Sequence, residues 1–233
     1  SFTLLIPIFN FFLIFDLVTR KFTIKNFSED LHIILLIILL TLFIYFFVIP
    51  HEGLAYVFLS IVSSVATSGI TVYSSSYDLS LFLIILTIIG GSLISTSSGL
   101  KYTRFYILLK ISYQEIYRLV KPINIVDKNL YNSETKIDDD DFKIAFLVFI
   151  SFILGIFILS SILTLNDLNF ENAFKLSILT LTNTVNSSLY GLENLNFFDL
   201  NIFAKMSLII FMILGKIEII TVIYLIKRFI FKE

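Results

Sequence analysis

Residues 53–70 read GLAYVFLSIVSSVATSGI, and residues 170–185 read FENAFKLSILTLTNTV. Each begins as an apolar run and ends in a cluster of Ser, Thr, Asn or Gly. Both fall short of the roughly 20 apolar residues that a helix needs to cross a bilayer. The neighbouring runs do not fall short. Leu31–Pro50 has only His32 and Thr41 as polar side chains, and Phe142–Leu165 is also long and predominantly apolar. Leu79–Leu109 is long enough but is broken near Gly90–Gly99, and Asn201–Ile226 is long but carries Lys205, Lys216 and Glu218. Half-length apolar runs between full-length ones are candidates for re-entrant segments.

Composition supports the same class. Of 233 residues, 57% are hydrophobic and 15% charged, against about 25% charged in soluble domains; the mean hydropathy is +0.94. A water-soluble enzyme of this length could not hide so much apolar surface, and disorder is excluded for the same reason. A net charge of −1 gives no basic face for nucleic acid. The chain lacks cysteine, so it forms no disulfide or thiolate metal site, and His32 and His51 cannot build a histidine-rich one. What remains is a helical membrane protein, since lipid tolerates no unpaired amides. The apolar opening, Ser1–Val18, lacks the basic start and small-residue cleavage site of a signal peptide. It reads as the end of a helix that began upstream.

Positive charge sets the orientation. Fourteen of the 17 Lys and Arg residues lie in Arg20–Lys25, Lys101–Lys143 and Lys227–Lys232. These regions share one side only if the two short runs do not cross. The positive-inside rule makes that side cytoplasmic, so both short runs dip in from outside. The predicted fold class is therefore all-α integral membrane, with repeated helix–pore-loop–helix units, re-entrant half-helices and broken second helices.

Residues 1–29 would be the tail of a preceding unit and a cytoplasmic loop. One unit spans 30–120, with a helix over 31–50, a half-helix and turn over 53–71 and a broken helix over 79–112. A connector follows at 121–140. A second unit spans 141–233, with a helix over 142–165, a half-helix and turn over 170–187 and a final helix over 201–231. Gly69 and Val185 end the two half-helices, 116 residues apart. Repeats of this kind surround transport paths.

A half-helix that stops mid-membrane points its negative C-terminal end at the bilayer centre. The extended residues that follow leave carbonyls unpaired, which is tolerated at that depth only along a wet path. Such a site favours a dehydrated cation. In the first copy the turn is Ala66-Thr67-Ser68-Gly69-Ile70-Thr71, where Gly69 can take the positive φ that turns a carbonyl inward. Lys216 lies about 15 Å from the inner end of its helix at 1.5 Å per residue, too deep for easy snorkelling, and should face protein or water. Pairing with Glu218 is disfavoured because i and i+2 do not share a helix face.

Several strings, in order, resemble the Trk/Ktr/HKT superfamily of potassium transporters, and within it the C-terminal half of TrkH-like subunits. Phe9-Asn10-Phe11 resembles the end of the second repeat. Val65-Ala66-Thr67-Ser68-Gly69-Ile70 is similar to the third filter. Gly90-Gly91 with Ser95-Thr96-Ser97-Ser98-Gly99-Leu100-Lys101 is similar to the broken helix and its intramembrane loop. Arg118-Leu119-Val120-Lys121-Pro122 resembles the connector, and Leu181-Thr182-Asn183-Thr184-Val185 the fourth filter. Leu214-Gly215-Lys216-Ile217-Glu218-Ile219 resembles the final helix, usually L-G-R-L-E-I.

The resemblance implies four repeats around one pore, a homodimer in a bacterial inner membrane, and a TrkA-like cytoplasmic ring that binds nucleotides and gates the pore. Two repeats lie here, so the N-terminal repeats would be supplied upstream or separately. K+ is the implied transported ion, with no cofactor in this chain. The filter residues would be Ala66, Thr67, Ser68, Gly69 and Ile70, with Asn183, Thr184, Val185 and Asn186. Gly90, Gly91, Ser95, Thr96, Ser97, Ser98 and Gly99 would form the gating loop, and Lys216 the electrostatic barrier.

Two departures bear on function. Val185 stands where the family's fourth filter usually has Gly. A β-branched residue cannot easily adopt positive φ, so this quarter should present its carbonyl differently, which puts potassium over sodium selectivity in doubt. The loop reads Ser97-Ser98 where the family is glycine-rich, so hydroxyls could bond across it. Without the family, Ser92–Ser98 would be a kinked helix with hydroxyls bonded to i−4 carbonyls.

Other features are structural. Asp138–Asp141 favours a helix start, Glu171 and Lys175 should pair one turn apart, and His51-Glu52 opens a half-helix at the outer surface. No nucleophile has a base beside it, so no enzyme activity is predicted. The expected function is potassium uptake through a cation-conducting pore. The alternatives are a non-conducting or sodium-permeable membrane scaffold, and a secondary transporter with its substrate site at Gly90–Gly99.

Overall fold

In the computed structural model, the described residues are 2–11, 28–49, 53–71, 79–120, 130, 137–186, 188–192 and 195–217. They form seven α-helices: α1 (Ser28–Phe47), α2 (Leu54–Val65), α3 (Ser80–Ile89), α4 (Tyr102–Val120), α5 (Asp139–Thr164), α6 (Phe170–Leu181) and α7 (Ile202–Ile217). Short 3-10 turns lie at Phe2–Leu4, Ser188–Tyr190 and Phe197–Asp199. No strand occurs among the described residues.

Among the described residues, two helices, α1 and α5, are long and apolar enough to cross a membrane. With 20 and 26 residues, they extend about 30 and 39 Å at 1.5 Å per residue. Each buries one narrow stripe. On α1 the stripe is Ile33, Ile37, Thr41 and Ile44; on α5 it is Ala145, Val148, Phe152, Ile156, Leu159 and Leu163. Their other faces are also apolar: Leu35, Leu39, Phe43 and Phe47 on α1, and Phe146, Leu154, Phe157 and Ile158 on α5, are exposed. A helix apolar all round belongs in lipid or a protein core. The α5 start is fixed by acid chemistry. Asp138 donates its N–H to Asp141 Oδ2 at 3.1 Å, half of a capping box, and Asp139, Asp140 and Asp141 occupy the first turn.

The two short helices are different. Each has 12 residues and reaches about 18 Å, well short of a bilayer core of about 30 Å. They are buried on most sides, α2 from Ser60 to Val65 and α6 from Lys175 to Leu181. Their buried hydroxyls are satisfied locally: Ser60, Ser64, Ser177 and Thr180 each donate to the carbonyl four residues earlier.

Packing follows a repeated order. α1 lies on α2 and α2 on α3; α5 lies on α6 and α6 on α7. The two halves are joined by α3 against α6 and the Ser188–Tyr190 turn, and by α4 against α5. One apolar core runs through both, including Ile61, Val62, Ile84, Leu159, Leu163, Leu179 and Tyr190.

The described opening residues are not the regular helix tail expected from sequence. Phe2–Leu4 is a 3-10 turn followed by further turns up to Phe9. Pro7 lacks the N–H that a continuing helix would need. Arg20–Lys25, His51, Glu52, Lys121, Pro122, Glu218 and the rest of the final helix lie outside the described residues.

Candidate functional site: two capped turns and the loop beside them

The helices α2 and α6 end identically. Past Val65, the Thr67 N–H donates to the Ser64 carbonyl at 3.0 Å and the Ser68 N–H to Ser63 at 3.0 Å. Past Leu181, Asn183 donates to Thr180 at 3.1 Å and Thr184 to Leu179 at 2.9 Å. Such paired bonds form the Schellman closure, which needs a left-handed residue at its first position. Thr67 (φ 53°) and Asn183 (φ 51°) supply it. Asn tolerates that conformation, whereas β-branched Thr does not, so Thr67 stores about 1–3 kcal/mol of strain. Its hydroxyl has a specific use: the Ser98 N–H donates to Thr67 Oγ1 at 3.1 Å.

The closures put residues 66–70 in register with 182–186. Gly69 has φ 68°; its counterpart Val185 is not among the non-glycine residues with positive φ. The two turns touch through their backbones. A methyl group on Gly69 would stand 2.1 Å from the Val185 carbonyl oxygen. Among the described residues, the carbonyls of Thr67, Ser68, Gly69, Asn183, Thr184 and Val185 accept no hydrogen bond. The Ile70 carbonyl does accept one, from Ser63 Oγ at 2.9 Å, so it is turned back toward its own helix. Ala66 and Thr184 are buried, whereas the Ile70 and Val185 side chains are 53% and 64% exposed. Asn186 donates through Nδ2 to the Leu192 carbonyl at 3.3 Å, while its buried Oδ1 has no partner among the described residues.

The second helix of the first half is fully interrupted. α3 stops at Gly90 (φ 67°) and α4 starts after Lys101 (φ 71°). Between them hydroxyls bond across the loop: the Gly91 N–H donates to Ser97 Oγ at 2.8 Å, Ser95 Oγ to the Ser92 carbonyl at 2.7 Å, and Ser95 and Ser97 share a 2.8 Å hydroxyl contact. A kinked helix with i−4 bonds is therefore not what forms. The loop also rests on the opening segment, with Ser92 and Ser97 N–H groups on the Ile8 and Pro7 carbonyls at 2.8 and 3.1 Å. Glu29 closes one end by accepting from the Leu93 N–H at 2.8 Å and from the Thr103 hydroxyl.

Lys216 reaches this loop from α7, donating to the Thr96 carbonyl at 3.0 Å. A cavity of about 310 Å³ is lined by Ser95, Thr96, Ser97, Ser98, Gly99, Lys101 and Lys216, with Leu93 and Gly215. The second turn is tied to α7 in a parallel way: Asn183 Nδ2 donates to the Met212 carbonyl at 2.9 Å. Gly215 permits that approach, since a methyl group there would stand 2.0 Å from the Leu181 carbonyl oxygen. Glu171 and Lys175 form their ion pair at 2.7 Å. It lies on α6 and takes no part in the loop.

Sequence inspection missed three contributors. Glu29 and Asp30 lie in the first turn of α1, yet Glu29 holds the loop and Asp30 accepts from the Asn10 N–H at 3.0 Å. Tyr190 is fully buried and its hydroxyl lies 3.4 Å from Ser64 Oγ, joining the second turn's continuation to α2. No periodicity marks such contacts, which span 20 to 126 residues.

Apolar helices of full and half length around turns with bare carbonyls define an all-helical membrane protein. The family model described as "TrkH: Cation transport protein" matches residues 73–231, and the chain belongs to that family. Curated relatives agree. The chain is 31% identical over 247 residues to the Trk system potassium uptake protein TrkG of Escherichia coli, covering all of this chain and 49% of TrkG. It is 25% identical over 177 residues to the Trk system potassium uptake protein TrkH of Halomonas elongata, covering 75% and 36% respectively. The chain thus spans half or less of the length of these relatives. The crystal structure of the potassium transporter TrkH from Vibrio parahaemolyticus shares the fold, with TM-score 0.77 and 24% identity over 95% of this chain and 50% of that one.

Proposed function

We propose that this chain supplies two quarters of a carbonyl-lined pore for monovalent cations, potassium first among them. The observation that carries this is the pair of matched turns: six carbonyls that accept no hydrogen bond among the described residues, at the negative ends of two short helices, in backbone contact at Gly69 and Val185. Helix C-termini and bare carbonyls both favour a dehydrated cation. Thr67, Ser68 and Gly69 would line one quarter, and Asn183, Thr184 and Val185 the other, with Ala66, Ile70 and Asn186 framing them. The half-helices would enter from outside, and residues 30–120 and 141–233 would be the two repeats.

The loop from Gly90 to Gly99 would be the gate, since Ser98 is bonded to the first turn and Thr96 to Lys216. The fixed charge of Lys216 would raise the barrier to a cation until the loop moves. No step forms or breaks a covalent bond. Two further repeats, a second copy of the protein, a nucleotide-binding TrkA-like ring and a bacterial inner membrane complete the proposal.

The test is rescue of a potassium-uptake-deficient bacterial strain by the complete gene, with rubidium influx as readout. Wild type should restore growth at low potassium, and Lys216→Met should raise influx. Absence of influx from wild type and Lys216→Met alike, at normal membrane levels, would sink the proposal. Val185 favours one alternative, a sodium-permeable or non-conducting scaffold. In that case Val185→Gly should change the sodium-to-potassium influx ratio or create influx where wild type has none.

A further inference from the structure

The Lys101 ammonium sits inside the loop whose carbonyls it binds. Lys101 is buried and holds φ 71°, an unfavourable conformation for a side chain of its size. It immediately precedes the N-terminus of α4, the positive end of a helix, where a cation is on the wrong side of the dipole. Backbone, burial and dipole all disfavour a lysine here. The compensation is local. Nζ donates to the Ser95 carbonyl at 2.9 Å and Ser95 Oγ at 3.2 Å, and also to the Ser97 carbonyl. Lys216, from the other half of the chain, takes the carbonyl between them, that of Thr96. Three successive loop carbonyls are therefore each held by an ammonium.

Lys101 also links the loop to α4. Its backbone leads directly into α4, which runs to Val120 and packs against α5, whereas Lys216 belongs to α7. Glu29 anchors the loop's other side through Leu93 and touches α4 through Thr103. Displacing α4 would carry Lys101 away from Ser95 and Ser97.

We propose that Lys101 is a positioning residue that latches the 95–97 segment in the conformation seen here and couples it to α4, separately from Lys216. This rests on the pore assigned above. Charge-assisted bonds at a buried site are strong. Losing them should shift the loop's equilibrium toward its displaced form by about ten-fold or more.

The test compares Lys101→Met, Lys101→Gln and Lys101→Arg in the complete protein, reading rubidium influx and membrane abundance. A second readout is reaction of Thr96→Cys with a membrane-impermeant maleimide applied from the cytoplasmic side; this chain has no cysteine of its own. Lys101→Met should raise influx by about ten-fold and speed labelling of Cys at position 96, while Lys101→Arg stays near wild type. A merely structural lysine would lower influx instead. Unchanged influx and labelling in Lys101→Met overturn the proposal. So does loss of both neutral variants from the membrane while Lys101→Arg accumulates, because that assigns the side chain to folding. Lys216→Met and Gly69→Ala serve as controls. Should they alter influx while Lys101→Met does not, only the latch fails; should they leave it untouched, the pore fails, and the labelling rate still decides whether Lys101 holds the loop.

Discussion

At the scale of single residues, Gly69 and Thr67 do opposite things with the same half of Ramachandran space. Gly69 needs its positive φ and also needs to lack a side chain, because the Val185 backbone lies where a methyl group would go. Gly69→Ala should therefore separate the two turns at a stability cost of about 1 kcal/mol or more; rubidium influx should fall to background, a larger loss than the fall in membrane abundance measured by immunoblot. Thr67 accepts strain in exchange for a contact: its hydroxyl receives the Ser98 N–H. Thr67→Val keeps the shape and leaves that buried N–H unsatisfied, at a cost of about 1–3 kcal/mol. Thr67→Ser relieves the branching and keeps the acceptor. We expect the serine variant to match or exceed wild type in thermal stability in detergent, and the valine variant to melt lower and release the loop. Equal melting of the two would remove the Ser98 bond from the account.

Among elements, the instructive pair is α6 and α7. Their close approach depends on Gly215, against which the Leu181 carbonyl packs, and it brings Asn183 to Met212 and Lys216 to Thr96 together. A single methyl at Gly215 must push α7 away from the C-terminus of α6. Gly215→Ala should lower the melting temperature and, by withdrawing Lys216 from the loop, raise residual cation leak in the fraction that folds. Unaltered leak with lowered stability would uncouple Lys216 from the loop. The α2–α3 pair uses a different device for the same end. There the second helix is broken outright, and a loop rather than a helix face is brought to the turn.

For the whole molecule, the exposed apolar surface decides the environment. Phe157 on α5 is 55% exposed in the C-terminal half of a helix long enough to span a bilayer. Phe157→Lys should weaken membrane insertion by about 2.5–3.5 kcal/mol, measurable as loss of the inserted fraction in a translocon assay. Ser160, nearly as deep but buried against the protein, should tolerate Ser160→Ala with little change. If Phe157→Lys inserted as well as wild type, α5 would not face lipid there.

Much of this organisation is legible in the chain alone. Composition forces helices into lipid, because no aqueous fold hides that much apolar surface. Run length separates α1 and α5 from α2 and α6, because hydrophobic thickness is a fixed ruler. The Gly, Ser and Thr clusters mark where helices stop, because only those residues combine turn conformations with short hydrogen-bonding side chains. Two positions resist that kind of inspection. Thr67 carries a left-handed conformation that a β-branched residue normally avoids, and Lys101 does so at the start of a helix.

What the tertiary structure alone decides is which of these local pieces meet. Backbone contact between Gly69 and Val185, Ser98 beneath Thr67, and Lys216 reaching Thr96 across 120 residues depend on how α3, α6 and α7 pack. Periodicity and propensity act over a few residues, so they specify helices and breaks. Contacts between breaks are set by the shape of the shared core, which exists only once both halves have folded together.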